Sequence, residues 1–171
     1  MPLSDAEKVA AIIADAGGEV VGRTRLQKIA YLLSVTGLED AFSFKYKHYG
    51  PYSEELAIAT RVGKWLGNLN ETEKNSTWGG TYSVYSIPDR AAAPGEDRRS
   101  RLARVAANAD AIALELAATA VFLANEGYEL PWQETARRKP DKATEEQFKK
   151  AREIVRELSQ IKTPKSLPAI I

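Results

Sequence analysis

The chain has 171 residues, 44% hydrophobic and 27% charged, with 24 basic and 23 acidic side chains and a net charge of +1. It holds no cysteine and a single histidine, His48, so disulfide frameworks, thiolate catalysis and cysteine metal sites are excluded and little room is left for histidine chemistry. Residues 1–90 sum to −1 and residues 91–171 to +2, which weighs against a strong nucleic-acid binder, since phosphate recognition needs a basic excess.

A chain this long buries roughly 70% of the surface its unfolded form exposes, so one domain needs no covalent staple. The longest apolar-rich stretch, Ala111–Ala124, is interrupted by Glu115 and is too short to cross a bilayer. The first residues lack the basic region and apolar core of a signal peptide. The expectation is a cytoplasmic protein with no membrane segment.

Ser4 and Glu7 form a capping box ahead of Val9, Ile12, Ile13 and Ala16, and Gly17-Gly18 ends that helix. Thr24 and Gln27 read as a second box, with Leu26, Ile29, Ala30 and Leu33 as the apolar face and Thr36-Gly37 as the close. The two helices resemble a helix-turn-helix pair. Phe42 to Tyr49 alternates as a strand does, and Gly50-Pro51 breaks it. Ser53 caps a third helix, whose inner side is read as Leu56, Ile58, Ala59, Val62, Trp65 and Leu66. Glu71 to Ile87 reads as a hairpin turning at Trp78-Gly79-Gly80, followed by a linker over 88–96.

From Asp97 to Asn125 the sequence is helical and alanine-rich, with a break expected at Asn108 or Asp110. Pro131 opens a short helix, and Thr144 with Gln147 boxes the last one, which carries Phe148, Ala151, Val155 and Leu158. The predicted fold is mainly α with a small β-hairpin: a winged-helix-like part over 1–88, a helical hairpin over 97–161 packed on it as one domain, and a tail over 162–171.

No catalytic triad, phosphate loop, metal cluster or dinucleotide fingerprint is present in the pattern, so no enzyme activity and no cofactor is expected. Two basic groups are candidates for contacting a partner. Arg23, Arg25, Gln27 and Lys28 lie at the start of the second helix, where cations oppose the helix dipole and where a helix-turn-helix meets DNA. Arg137, Arg138 and Lys139, with Lys142, form the second group.

Leu26-Gln27-Lys28, Tyr31-Leu32-Leu33, Phe44, Tyr46, Tyr49-Gly50-Pro51-Tyr52-Ser53 and Glu55-Leu56 together resemble the Panacea (SocA-like) antitoxin domain, and more closely the related YwgA-like bacterial proteins. The resemblance covers Gly22 to Leu56. It implies a compact, mostly helical domain without catalytic machinery that neutralises or adapts a protein partner such as a toxin. Leu26, Tyr31, Tyr49, Gly50 and Pro51 are its structural residues, and Tyr52 is a candidate contact. The alternative is a winged-helix DNA-binding regulator, weakened by a hairpin that offers Lys74 between acidic residues.

Overall fold

The computed structural model describes residues 2–88 and 97–170, with seven α-helices and five strands among them. The chain is mainly helical with small antiparallel sheets. Helix α1 (Asp5–Asp15) starts as its sequence dictates: Ser4 N–H donates to the Glu7 carboxylate at 2.7 Å and Glu7 N–H returns a bond to Ser4 Oγ. Val9, Ile12 and Ile13 are its fully buried face.

Strand β1 (Glu19–Val21) leads into α2 (Arg23–Val35). The expected Thr24–Gln27 box is absent. Gly22 is the N-cap, at φ 99°, and no side chain caps the helix. The sheet sets this start instead, because Gly22 N–H donates to Ser83 O at 2.8 Å. The expected strand over 42–49 is also corrected. Only β2 (Lys45–Lys47) is extended and paired, and Gly50-Pro51 opens its partner β3 (Gly50–Tyr52) rather than breaking it. The chain reverses at His48-Tyr49, and Gly50 supplies a φ of 95° that a side chain resists.

Helix α3 (Glu54–Leu66) has Ser53 as N-cap and a left-handed Gly67 as C-cap. Its buried side is Leu56, Ala59, Thr60 and Gly63. Ile58, Val62, Trp65 and Leu66, read from periodicity as core, are exposed. The reason lies at Gly63, where a Cβ would sit 2.9 Å from Leu69 and 3.6 Å from Ala6. The bare glycine lets α1 close on this side, which turns the larger apolar residues outward. Strands β4 (Asn70–Asn75) and β5 (Thr81–Ser86) form the expected hairpin, and β1 completes an antiparallel sheet in the order β1-β5-β4.

The second half holds four helices rather than a two-helix hairpin: α4 (Arg98–Asn108), α5 (Ala111–Asn125), α6 (Pro131–Arg138) and α7 (Glu145–Ser159). The expected break is present, with extended Ala109 followed by Asp110, which caps α5. Helix α5 is buried along most of its length and packs against α2, β3, α6 and α7. Ala113, Ala117, Ala118 and Ala120 permit this close approach. Thr144 caps α7, but Gln147 Oε1 finds no partner among the described residues. Residues 162–170 are docked rather than a loose tail. Lys165 N–H donates to Thr36 O at 2.9 Å, the Trp132 indole N–H donates to Ile170 O, and Leu167 and Ile170 pack on the core. The expected linker lies, from residue 89 to 96, outside the described residues.

Candidate functional site

The candidate residues of α2 separate on folding. Arg23 pairs across to Glu71 of β4 at 3.3 Å. Arg25 donates to Val21 O at 3.0 Å and, through Nη1, to the carbonyls of Ala106, Ala107 and Ala109 at the C-terminus of α4. A cation misplaced against its own helix dipole thus serves the negative end of another helix. Gln27 is buried, and its amide acts as a one-residue strand partner: Nε2 donates to Ser53 O at 3.0 Å and Oε1 accepts from Ser53 N–H at 2.8 Å. Lys28 is 1% exposed. The structure therefore does not place Arg25, Gln27 and Lys28 together on an open face. Leu26 and Tyr31 are buried core residues.

Lys28 belongs to a buried polar cluster under the β2–β3 hairpin. Its Nζ donates to Pro51 O at 2.9 Å. Lys139, also buried, donates to His48 O at 3.0 Å and pairs with Glu115 of α5 at 3.0 Å. Lys142 bonds both Glu115 oxygens, at 3.0 and 2.9 Å. Two lysines, one within α2 and one at the C-cap of α6, thus hold the hairpin's carbonyls, and one buried carboxylate holds two of the three ammonium groups. The hairpin sits so close to α5 that a Cβ on Gly50 would lie 2.4 Å from Thr119 Oγ1. That hydroxyl is buried with no hydrogen-bond partner among the described residues.

Burial lowers the Lys28 pKa from 10.5 to about 7; Lys139 and Lys142 push the same way and Glu115 opposes them. The unfolded lysine binds its proton up to about pH 10.4 and the folded one releases it near 7. Between those values the unfolded chain holds more protons, so this group makes stability rise with pH. We expect wild-type stability relative to Lys28→Met to increase by about 2–4 kcal/mol from pH 7 to pH 10, as read from urea melts at each pH. A difference independent of pH would show that Lys28 keeps its proton in the fold.

On this base rests an outer layer of tyrosines and cations. The Arg138 guanidinium lies 4.5 Å from the Tyr46 ring centre and 5.4 Å from that of Tyr128, and it donates to Tyr128 Oη at 2.9 Å. Glu134 holds both Arg137 and Arg138, at 2.6 and 2.9 Å, and these two cations pull its carboxyl down to about 2. Lys142 Nζ is 4.9 Å from the centre of the Tyr49 ring, and Lys47 is 4.7 Å from that of Tyr52. Tyr49, Tyr128, Leu130 and Arg137 are exposed. Beneath them Tyr31, Phe44, Tyr46 and Phe122 stack edge-on or tilted at 5.4–6.1 Å. Of the second basic group, Arg137 and Arg138 thus face outward or sit half-buried, whereas Lys139 is structural.

The sequence reading missed Glu115 as a site residue, although one charge inside an apolar run is a signal for a buried ion on an inward face. Thr119, Tyr128 and the stacking of Tyr46 had no local signal. Among the described residues no group of acidic and histidine side chains could hold a metal ion, and no helix is long and apolar enough to cross a membrane.

No family model matches the chain. It is 30% identical over 92 residues to Uncharacterized protein YwgA of Bacillus subtilis (strain 168), covering 53% of this chain and 54% of that protein. The chain therefore spans about half the length of the curated relative it matches. The match supports a relation to YwgA-like proteins; it does not extend to the Panacea antitoxins.

Proposed function

We propose that the chain is a non-enzymatic protein-binding module, antitoxin-like in neutralising or adapting a protein partner. The observation that carries this reading is the tyrosine–cation layer of Tyr49, Tyr128, Arg137, Arg138 and Lys142 on a base fixed by buried ion pairs. Tyrosine and arginine are the side chains that carry most binding energy at protein interfaces. They bury large area at low entropic cost when their rotamers are already held, as Arg138 is by Glu134 and two rings. Lys28 does no chemistry in this reading, because its amine is buried against Pro51 O.

The element order α1-β1-α2-α3-β4-β5 and the strand order β1-β5-β4 support a winged-helix-like reading of the first part, with β2–β3 inserted between the second and third helices. DNA is the weaker ligand for it. Arg25 and Lys28 are engaged inside the fold, and α3 turns Ile58, Val62, Trp65 and Leu66 outward beside Arg61 and Lys64, which leaves few donors for phosphates and bases.

Affinity capture with the full chain, followed by titration of promoter DNA at several salt concentrations, tests the reading. We expect one specific protein to be retained, its capture to fall about tenfold or more with Tyr49→Ser plus Arg137→Glu, and DNA binding to be unsaturable. Saturable DNA binding with a log–log salt slope near −2.7, as about three phosphate contacts produce, would overturn it.

A further inference from the structure

Helix α3 turns an apolar stripe to solvent. Ile58, Val62, Trp65 and Leu66 recur at i, i+4, i+7 and i+8, with Trp65 91% and Leu66 70% exposed. A contiguous patch headed by a bare tryptophan marks an interaction surface rather than ordinary surface variety. The charges flanking the stripe are ordered. Glu54 and Glu55 occupy the first turn, and Arg61 and Lys64 lie in the second half.

That order is self-complementary. We propose that α3 packs antiparallel against α3 of a second copy of this chain, forming a two-fold dimer. An antiparallel isologous contact brings the acidic start of one helix beside the basic end of the other. With the axis near residues 60–61, Ile58 of each copy meets Val62 of the other, and Trp65 covers the Ile58 of its partner. Glu54, 3.6 Å from Lys47 of its own chain, then falls within about one helical turn, ~5 Å, of Lys64 of the second copy, whose own neighbour is Glu71 at 3.8 Å. The antiparallel arrangement also sets the two helix dipoles head to tail. A parallel pairing would instead align acid with acid and base with base. The contact uses none of the residues of the tyrosine–cation layer, so it stands independently of the reading above.

One helix pair lies at the small end of interface sizes, so the dimer is expected to form with a Kd of about 10–100 μM. Sedimentation of the full chain across that range tests it. Val62→Glu with Trp65→Ser should leave a monomer whose thermal melt is unchanged, because both side chains are already exposed. Glu54→Lys alone and Lys64→Glu alone should each weaken self-association about tenfold, and an equimolar mixture of the two should associate as the wild type does. A wild type that stays monomeric throughout, or a mixture that fails to recover association, would overturn the proposal.

Discussion

Glu115→Gln is expected to cost about 3–5 kcal/mol of stability. The substitution keeps the shape and removes only the charge. Lys139, 6% exposed, then loses its counter-ion 3.0 Å away, and Lys142 loses a bidentate acceptor. An uncompensated buried ammonium is far more costly than the pair was favourable. Glu115→Leu with Lys139→Met, which removes both charges, should therefore lose less than half as much. Urea melts measure both, and hydrogen exchange in residues 45–52 should quicken in Glu115→Gln, since Lys139 anchors His48 O. A loss below about 1 kcal/mol in the single variant would mean the cluster does not hold the hairpin.

Gly50→Ala is expected to cost about 2–4 kcal/mol, from two separable causes. The backbone at φ 95° disfavours any L side chain, and the new Cβ would meet Thr119 Oγ1 at 2.4 Å. Thr119→Ala removes the second cause and not the first, because the Thr119 Cβ is an ordinary 3.6 Å away. The double variant should thus recover the steric part and retain about 1–2 kcal/mol of backbone strain. Additive losses would show that the hairpin backs away from α5 rather than pressing on Thr119.

These two sites also show where local reading stops. The Ser4–Glu7 cap, the Ser53 cap and the break before α5 were legible because each depends on neighbours three residues apart. Gly50 was legible as a special backbone position, though its place within a strand was not, because β2 and β3 are only three residues each. Lys28 looked like a surface cation, since nothing local tells that Pro51 O will cover it. Arg25 opposed its own helix dipole for a reason located 81 residues away, at Ala106. Helix α3 misled for a different reason. Apolar periodicity shows that a face avoids water, not what covers it, and Ile58, Val62, Trp65 and Leu66 satisfy the same pattern as a core face. The docked stretch at 162–170 gave no periodic signal because it is held by single bonds to Thr36 and Trp132.

We propose that the β2–β3 hairpin and α6 present a surface for a protein. The most direct measurement places a photoreactive benzoylphenylalanine at Tyr49 in the cells that make this chain, with the same group at exposed Lys150 of α7 as control, and identifies the adducts by mass spectrometry. We expect one discrete protein adduct from Tyr49 that is absent from Lys150 and suppressed by Arg137→Glu. Nucleic-acid adducts at Tyr49, or the same adducts from both positions, would contradict it.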